Sequence, residues 1–204
     1  MVEPQITSHY GPITLRLVKP KDARALQHEL MTNRAWLSPW EATIPGMEPS
    51  FDMRSGVRRL LQQYRDGLGV PFVMEYNGEI AGQLNIWGVA RGSLSSATIG
   101  YWVSQRFAGK GVTPTCVAMA TDIAFRQLRL HRMEICIRPE NKPSLRVVQK
   151  LGFRYEGTRK NYIHIDGGWR DHYAFALTAD EVPEGILKRW TSGRAPESAA
   201  AVVP

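Results

Sequence analysis

Cysteine is scarce in this chain: Cys116 and Cys136 are the only two among 204 residues. Neither sits in a Cys-x-x-Cys pair or in a Cys/His cluster with zinc-ligand spacing, which excludes a disulfide scaffold and a zinc module. Long apolar runs are missing too, since none approaches the roughly 18 residues that span a bilayer. Met1-Val2-Glu3-Pro4 lacks the basic region and apolar core of a secretion signal. These absences predict a reduced, cytoplasmic protein with no metal and no membrane partner. There is no internal repeat, no Gly-x-Gly-x-x-Gly dinucleotide fingerprint and no phosphate loop ending in Gly-Lys-Ser/Thr.

Acidic residues are sparse in the second half. Residues 1–100 hold ten basic and nine acidic side chains, whereas residues 101–204 hold sixteen and ten, and the excess concentrates between Arg106 and Arg170. Clustered positive charge suits a polyanionic partner: nucleic acid, an acidic protein face or a phosphorylated small molecule. With 43% hydrophobic and 22% charged residues, the chain can bury a core as one domain, expected over residues 1–192. Residues 193–204, small and rich in Pro and Ala, read as a disordered tail.

Apolar periodicity alternates between extended and helical. Strands are expected at 13–18, 72–76, 79–87, 97–103, 132–137, 153–159, 162–165 and 169–177. Helices are expected at 21–34, from a Ser50 cap to 64, from Thr113-Pro114 to about 128, at 142–151 and within 178–190. In the third of these Val117, Ala120, Thr121, Ala124 and Leu128 form the apolar stripe. Asn77-Gly78 and Asp166-Gly167-Gly168 are turn signals tolerant of positive φ. The sum is a single α+β domain on a mixed, mainly antiparallel sheet.

The chemistry-bearing segments lie at two strand-to-helix junctions. In the first, Tyr101-Trp102-Val103 runs into Arg106-Phe107-Ala108-Gly109-Lys110-Gly111 and then Val112-Thr113 at a helix start. Two glycines before a helix let successive amides face one anion without Cβ obstruction, so a pyrophosphate fits there. Two glycines before a helix are also a common structural device. The second junction is Arg138-Pro139-Glu140-Asn141-Lys142-Pro143-Ser144, followed by Lys150-Leu151-Gly152-Phe153. Asn141 there suits a helix cap as well as a ligand contact.

In their order and spacing these segments resemble the acetyl-CoA-dependent N-acetyltransferases of the GNAT superfamily, across roughly residues 13–177. Within it the chain is similar to the RimJ type of ribosomal-protein alanine N-acetyltransferase, through Trp40-Glu41, Arg91-Gly92-Ser93 and the run from Asn161 through Tyr162 and His164 to His172. The resemblance implies the GNAT fold, with a splayed central strand pair and flanking helices, and direct acetyl transfer in a ternary complex. It implies that Tyr101, Trp102 and Val103 pair with pantetheine. Arg106, Ala108, Gly109, Lys110, Gly111, Val112 and Thr113 would hold the pyrophosphate, with Asn141 and Ser144 beside the thioester. CoA's phosphates then give the basic excess a partner, with Lys142, Arg146 and Lys150 on one helix face. Direct nucleic-acid binding is not needed, though a basic surface could face the ribosome. One departure matters: the tyrosine that many members place just before Leu-Gly-Phe is Val148 here.

Amine acetylation needs a neutral amine, stabilisation of the oxyanion and a proton for the thiolate. Ser144 is the first candidate for the proton donor. Neutralising an α-amine at pH 7 costs about 1 kcal/mol, against about 4.6 kcal/mol for a lysine side chain. With no obvious strong base in the sequence, an α-amine of a protein N-terminus is the favoured acceptor. Glu41 could hold the incoming ammonium, and Tyr162 could relay a proton or line the acceptor cleft. His164 and His172 are further candidates by residue type, and Glu134 reads as structural. Trp36, Trp40 and Trp102 are assigned to the cleft rim. A small-amine acetyltransferase, serving an antibiotic or a polyamine, and a silent CoA-binding or ribosome-docking module remain as alternatives.

Overall fold

The computed structural model describes residues 6–47 and 51–193. The strands are β1 (Thr7–Tyr10), β2 (Ile13–Leu17), β3 (Gly69–Tyr76), β4 (Glu79–Ala90), β5 (Ser96–Val103), β6 (Arg132–Ile137), β7 (Arg154–Ile165) and β8 (Gly168–Thr178). The helices are α1 (Ala23–Thr32), α2 (Arg34–Leu37), α3 (Met53–Arg65), α4 (Val112–Arg126), α5 (Lys142–Leu151) and α6 (Ile186–Thr191). Among the described residues no helix is long and apolar enough to cross a membrane.

All eight strands join one sheet in the order β1-β2-β3-β4-β5-β6-β8-β7. Every neighbouring pair is antiparallel except β5 and β6. A parallel pair needs a crossover, and α4 supplies it. The pairing covers only Ser96 to Thr98 against Arg132 to Glu134. Beyond that, β5 follows β4 to the Gly82–Val103 pair, while β6 follows β8 to the Ile137–Tyr173 pair. The two strands therefore part, and the mixed sheet has the splayed centre expected of the GNAT fold.

Period-two alternation sorts side chains between two cores. Phe72, Met74, Leu84 and Ile86 pack on the face that carries α4, whereas Val73 points to the other face with Leu26 of α1 and Val57 of α3. The expected five-residue stripe on α4 understates its burial: every residue from Val112 to Thr121 is buried, and Leu128 lies beyond the helix end. Two of its buried hydroxyls find partners, one within the helix and one on α6. Thr121 donates to the Val117 carbonyl at 2.8 Å, and Thr115 accepts from the Trp190 indole at 3.0 Å. The cap expected at Ser50 lies outside the described residues. Asp52 does that work on α3, accepting from the amides of Arg54 and Ser55 at 3.1 Å each. The tail expected to be disordered lies, from residue 194, outside the described residues as well.

Much of the basic excess is spent inside the sheet. Ala176 of β8 lies between Arg154 of β7 and Glu134 of β6, and Ala174 lies between Gly157 and Cys136. Such small central residues let long side chains bridge over them. Arg159 reaches Glu134 at 2.6 Å, Arg132 reaches both Glu134 and Glu156, and Arg154 reaches Glu156 at 2.7 Å. Hydrogen bonding from Arg132 first, then from Arg154, pulls the Glu156 carboxyl down to about 2. A depressed folded value means stability that is complete above the ordinary glutamate range near 4.5 and is lost as pH falls toward 2. Glu156→Gln should flatten that stretch of the acid-unfolding curve, read by circular dichroism; an unchanged slope would show the pairs to be solvated.

Candidate active site

Two cavities meet where β5 and β6 part. One, of about 270 Å³, is bounded by the loop 107–113, by Trp36 and by Arg146 and Lys150 of α5. The other, of about 390 Å³, is bounded by β4, β6, β8 and the loop after α2. Leu37, Trp40, Tyr101, Trp102, Asn141 and Ser144 line both. A molecule in either reaches the same short wall.

The loop of the first cavity is built by alternation. Gly109 and Gly111 take φ of +78° and +77°, a region that other L-residues enter at a cost of about 1–2 kcal/mol. The amides of Ala108 and Lys110 turn inward, to the carbonyls of Gln105 at 3.0 Å and Phe107 at 3.4 Å. No described carbonyl receives the amides of Gly109 and Gly111. Val112 and Thr113, at the first turn of a fifteen-residue helix, have no preceding turn to donate to. Open amides at a positive helix end form an anion cradle. Arg146 and Lys150, one turn apart on α5, add charge beside it.

The side chains of Arg106 and Lys110, expected on the pyrophosphate, are placed elsewhere. Arg106 bonds Glu29 and Glu79 at 2.7 Å each and stacks on Phe107. Glu29 also accepts from the buried Ser104 hydroxyl at 2.6 Å. The ion pairs thus anchor the loop's base rather than face a ligand. The Lys110 ammonium rests over the rings of Tyr76 and Phe107, at 5.3 and 5.4 Å. Lys142 lines neither cavity, in contrast to Arg146 and Lys150. The Val103 carbonyl accepts from the Trp36 indole at 3.0 Å, which leaves one of its two lone pairs at the strand edge.

At the shared wall the Tyr101 hydroxyl lies 2.7 Å from Ser144 Oγ. Burial pushes the Tyr101 phenol up to about 12, against the opposing pull of Ser144, so it stays protonated at neutral pH. Ser144 is held at the start of α5 by Asn141, whose side chain accepts its amide at 3.1 Å. Such a cap stabilises the helix by about 1 kcal/mol. Asn141 lines both cavities while capping, so the two readings of that residue coexist. Val148, one turn further along α5, is sealed in the core.

In the second cavity Glu41 is present but ion-paired to Arg34 at 2.5 Å. Tyr162 is not among the lining residues. Its hydroxyl accepts from Arg159 at 2.9 Å and its ring packs on His172, while Ile163 and Ile165 take the lining positions. The reason is a register shift between Arg159 and Ile163 with Asn161 at φ +46°, which changes which residues of β7 face the cleft. His164 bonds Thr43 at 2.8 Å, and with the Ala42–Ile165 bridge it fastens the aromatic loop to β7. Arg138 holds the same loop through the Pro39 carbonyl at 2.8 Å. Cys136 lines the cavity too, but burial pushes its thiol up, which suits no nucleophile.

Two lining residues escaped the sequence reading. Gln83 and Asn85 of β4 place Nε2 and Oδ1 in buried positions with no hydrogen-bond partner among the described residues. Each such orphan costs about 1–3 kcal/mol, a penalty that native proteins seldom carry without a ligand to relieve it. The signal was there: two amides at i and i+2 on a strand whose other face is Leu84 and Ile86.

A parted strand pair, an amide cradle at a helix start and a hydroxyl pair between two clefts define an acyl-CoA N-acyltransferase site. The chain belongs to the GNAT acetyltransferase family: it matches the Acetyltransferase (GNAT) domain over residues 13–154. Its relatives include the [ribosomal protein uS5]-alanine N-acetyltransferase of Escherichia coli K12, 32% identical over 94% of this chain and 96% of that one. Among solved structures it is similar to Mycobacterium smegmatis RimJ in complex with CoA-disulfide, with a TM-score of 0.83 and 39% identity over 88% of each chain. It is also similar to the ribosomal-protein-S5-alanine acetyltransferase of Vibrio fischeri, with a TM-score of 0.78 and 27% identity over 86% of this chain and 98% of that one.

Proposed function

We propose that this chain transfers the acetyl group of acetyl-CoA to the α-amine of a protein N-terminus, in the cytoplasm, with a ribosomal protein as the acceptor class. The observation that carries the reading is the pair of cavities meeting at Tyr101 and Ser144. Acetyl-CoA supplies an activated acyl group as its thioester. The open amides of Gly109, Gly111, Val112 and Thr113 hold its pyrophosphate, with Arg146 and Lys150 beside them, and β5 offers its free edge at Tyr101 and Trp102. Ser144 gives a proton to the departing sulfur and is reprotonated, through the hydroxyl of Tyr101 that burial keeps neutral, by the proton that the acylated nitrogen sheds. The phenol missing from α5 at Val148 is thereby replaced from β5. The acceptor enters the larger cavity. The relatives' acceptors, alanines of a ribosomal protein, support the choice of a protein N-terminus.

The charge of that cavity separates the small-amine alternative. Among the described residues its single lining carboxylate, Glu41, is paired with Arg34, and Arg138 is paired in turn with Glu140, so a polyamine finds no anionic pocket. The test measures CoA thiol release with peptides bearing a free N-terminal alanine or serine, the same peptides blocked at the N-terminus but carrying lysine, and spermidine. Turnover confined to the free α-amine is expected. Turnover on blocked peptides or spermidine alone overturns the acceptor, and acetyl-CoA binding with no turnover leaves only a silent module.

The cradle has its own test. A Cβ at Gly111 meets no atom within 4 Å, so a Gly111→Val variant should fold with only the backbone strain of its φ. Its branched side chain would crowd the amides, and acetyl-CoA affinity should fall about tenfold by calorimetry, equivalent to about 1.4 kcal/mol. Unchanged affinity would remove the loop from the pyrophosphate.

A further inference from the structure

We propose that His172 is the general base that takes the proton from the incoming ammonium. The inference rests on the acetyl-transfer reading above and names the base that reading leaves open. His172 lies on β8 opposite Arg159 of β7, one residue before the Tyr173–Ile137 pair that ends β6. That position puts it at the mouth of the second junction, and it lines the larger cavity together with Tyr101, Asn141 and Ser144.

Its ring is held in one tautomer. Nδ1 lies 3.0 Å from the Arg170 carbonyl, and a carbonyl only accepts, so Nδ1 carries the hydrogen. The neutral ring then bears its lone pair on Nε2, to which no described residue is bonded, in a side chain only 3% exposed. Burial pushes His172 below its ordinary value; the bond to the Arg170 carbonyl opposes it, Arg138 acts in the lowering sense, and Glu140 and Asp171 oppose it more weakly. The other groups near it are spoken for. Glu140 pairs with Arg138, Asp171 with Lys160, and Arg159 with Glu134, and the edge of the ring meets Tyr162. Across the cavity Glu41 is tied to Arg34. His172 therefore combines a free lone pair, a neutral resting state and access to the cavity.

A second observation marks the same cavity as the acceptor's. Asn85 Oδ1 and Gln83 Nε2 are the buried orphans on its β4 wall, an acceptor for an amine N–H and a donor for the first peptide carbonyl. In the step, the ammonium proton passes to Nε2 and the freed nitrogen lone pair forms the C–N bond. The C–S bond breaks, the sulfur takes the Ser144 proton, the second proton shed by the acylated nitrogen restores the Ser144–Tyr101 pair, and the imidazolium returns its proton to solvent.

The experiment uses the full chain and His172→Asn, whose amide nitrogen can keep the bond to Arg170. The expected result is a kcat/KM about a hundredfold lower for an N-terminal peptide at pH 7, with acetyl-CoA affinity unchanged. Wild-type kcat/KM should level off at lower pH. The variant should climb through the acceptor's own pKa, about 7.7, because it depends on amine already neutral in solution. Independently of activity, nitrogen-15 NMR of the free wild-type protein should show His172 as the Nδ1–H tautomer, titrating below the ordinary histidine range. A variant with the wild-type pH–rate profile, or an Nε2–H tautomer in the free protein, overturns the assignment. A wild-type protein that acetylates no amine sinks the acetyl-transfer reading itself, and the base with it, which distinguishes the two failures.

Discussion

Alanine at position 144 is expected to lower kcat about a hundredfold, the usual scale for losing a positioned proton donor, while leaving acetyl-CoA affinity almost untouched. The substitution keeps the backbone amide that Asn141 receives, so α5 stays capped. It removes the hydroxyl that faces both cavities and leaves the Tyr101 phenol without its partner at 2.7 Å. Tyr101→Phe should cost less, about tenfold, because Ser144 still carries a proton, although one polarised by no neighbour. The double variant should be scarcely worse than Ser144→Ala, since the two act as one unit. Steady-state rates with an N-terminal peptide decide it. Strictly additive losses would mean that the hydroxyls work apart, and an unaltered rate in Ser144→Ala would remove that residue as the donor.

The second large effect is structural. A Cβ on Gly82 would stand 2.1 Å from the Trp102 carbonyl oxygen and 2.9 Å from Val103 Cα, and backbone cannot swing aside as a flexible side chain does. Gly82→Ala should therefore push β4 from β5 just where β5 borders both cavities. Overpacking of this kind costs about 3 kcal/mol, or roughly 6–12 °C in melting temperature for a chain of this size. Acetyl-CoA affinity should fall with it, because Trp102 and Val103 move. A melting temperature within about 2 °C of wild type would show that the strands are not in such close approach.

The architecture was readable in the sequence where local chemistry decides it. Asn77-Gly78 and Asp166-Gly167 adopt paired positive φ as their residue types demand, and both strand-to-helix junctions fall where the glycines and Pro-Glu-Asn put them. β1 escaped because Thr7–Tyr10 is a polar, largely exposed edge strand with no apolar alternation to betray it. The site was only half readable, for reasons of distance along the chain. Arg106 finds Glu29 seventy-seven residues away, so nothing local warned that its charge was already engaged. Tyr162 was misdirected by an irregularity in β7 that composition does not announce. The resemblance implies a role for Tyr101 through its backbone, yet its hydroxyl is what meets Ser144, a partner supplied by a different element.

The brevity of the single parallel pairing has a mechanical consequence. Three residue pairs, with the amides of His131 and Arg132 on the Ser95 carbonyl, join the two antiparallel leaves edge to edge, while α4 packs behind them. The width of the gap beyond those pairs is therefore set by side chains, such as Trp36 on Val103 and Tyr101 on Ser144, rather than by backbone pairing.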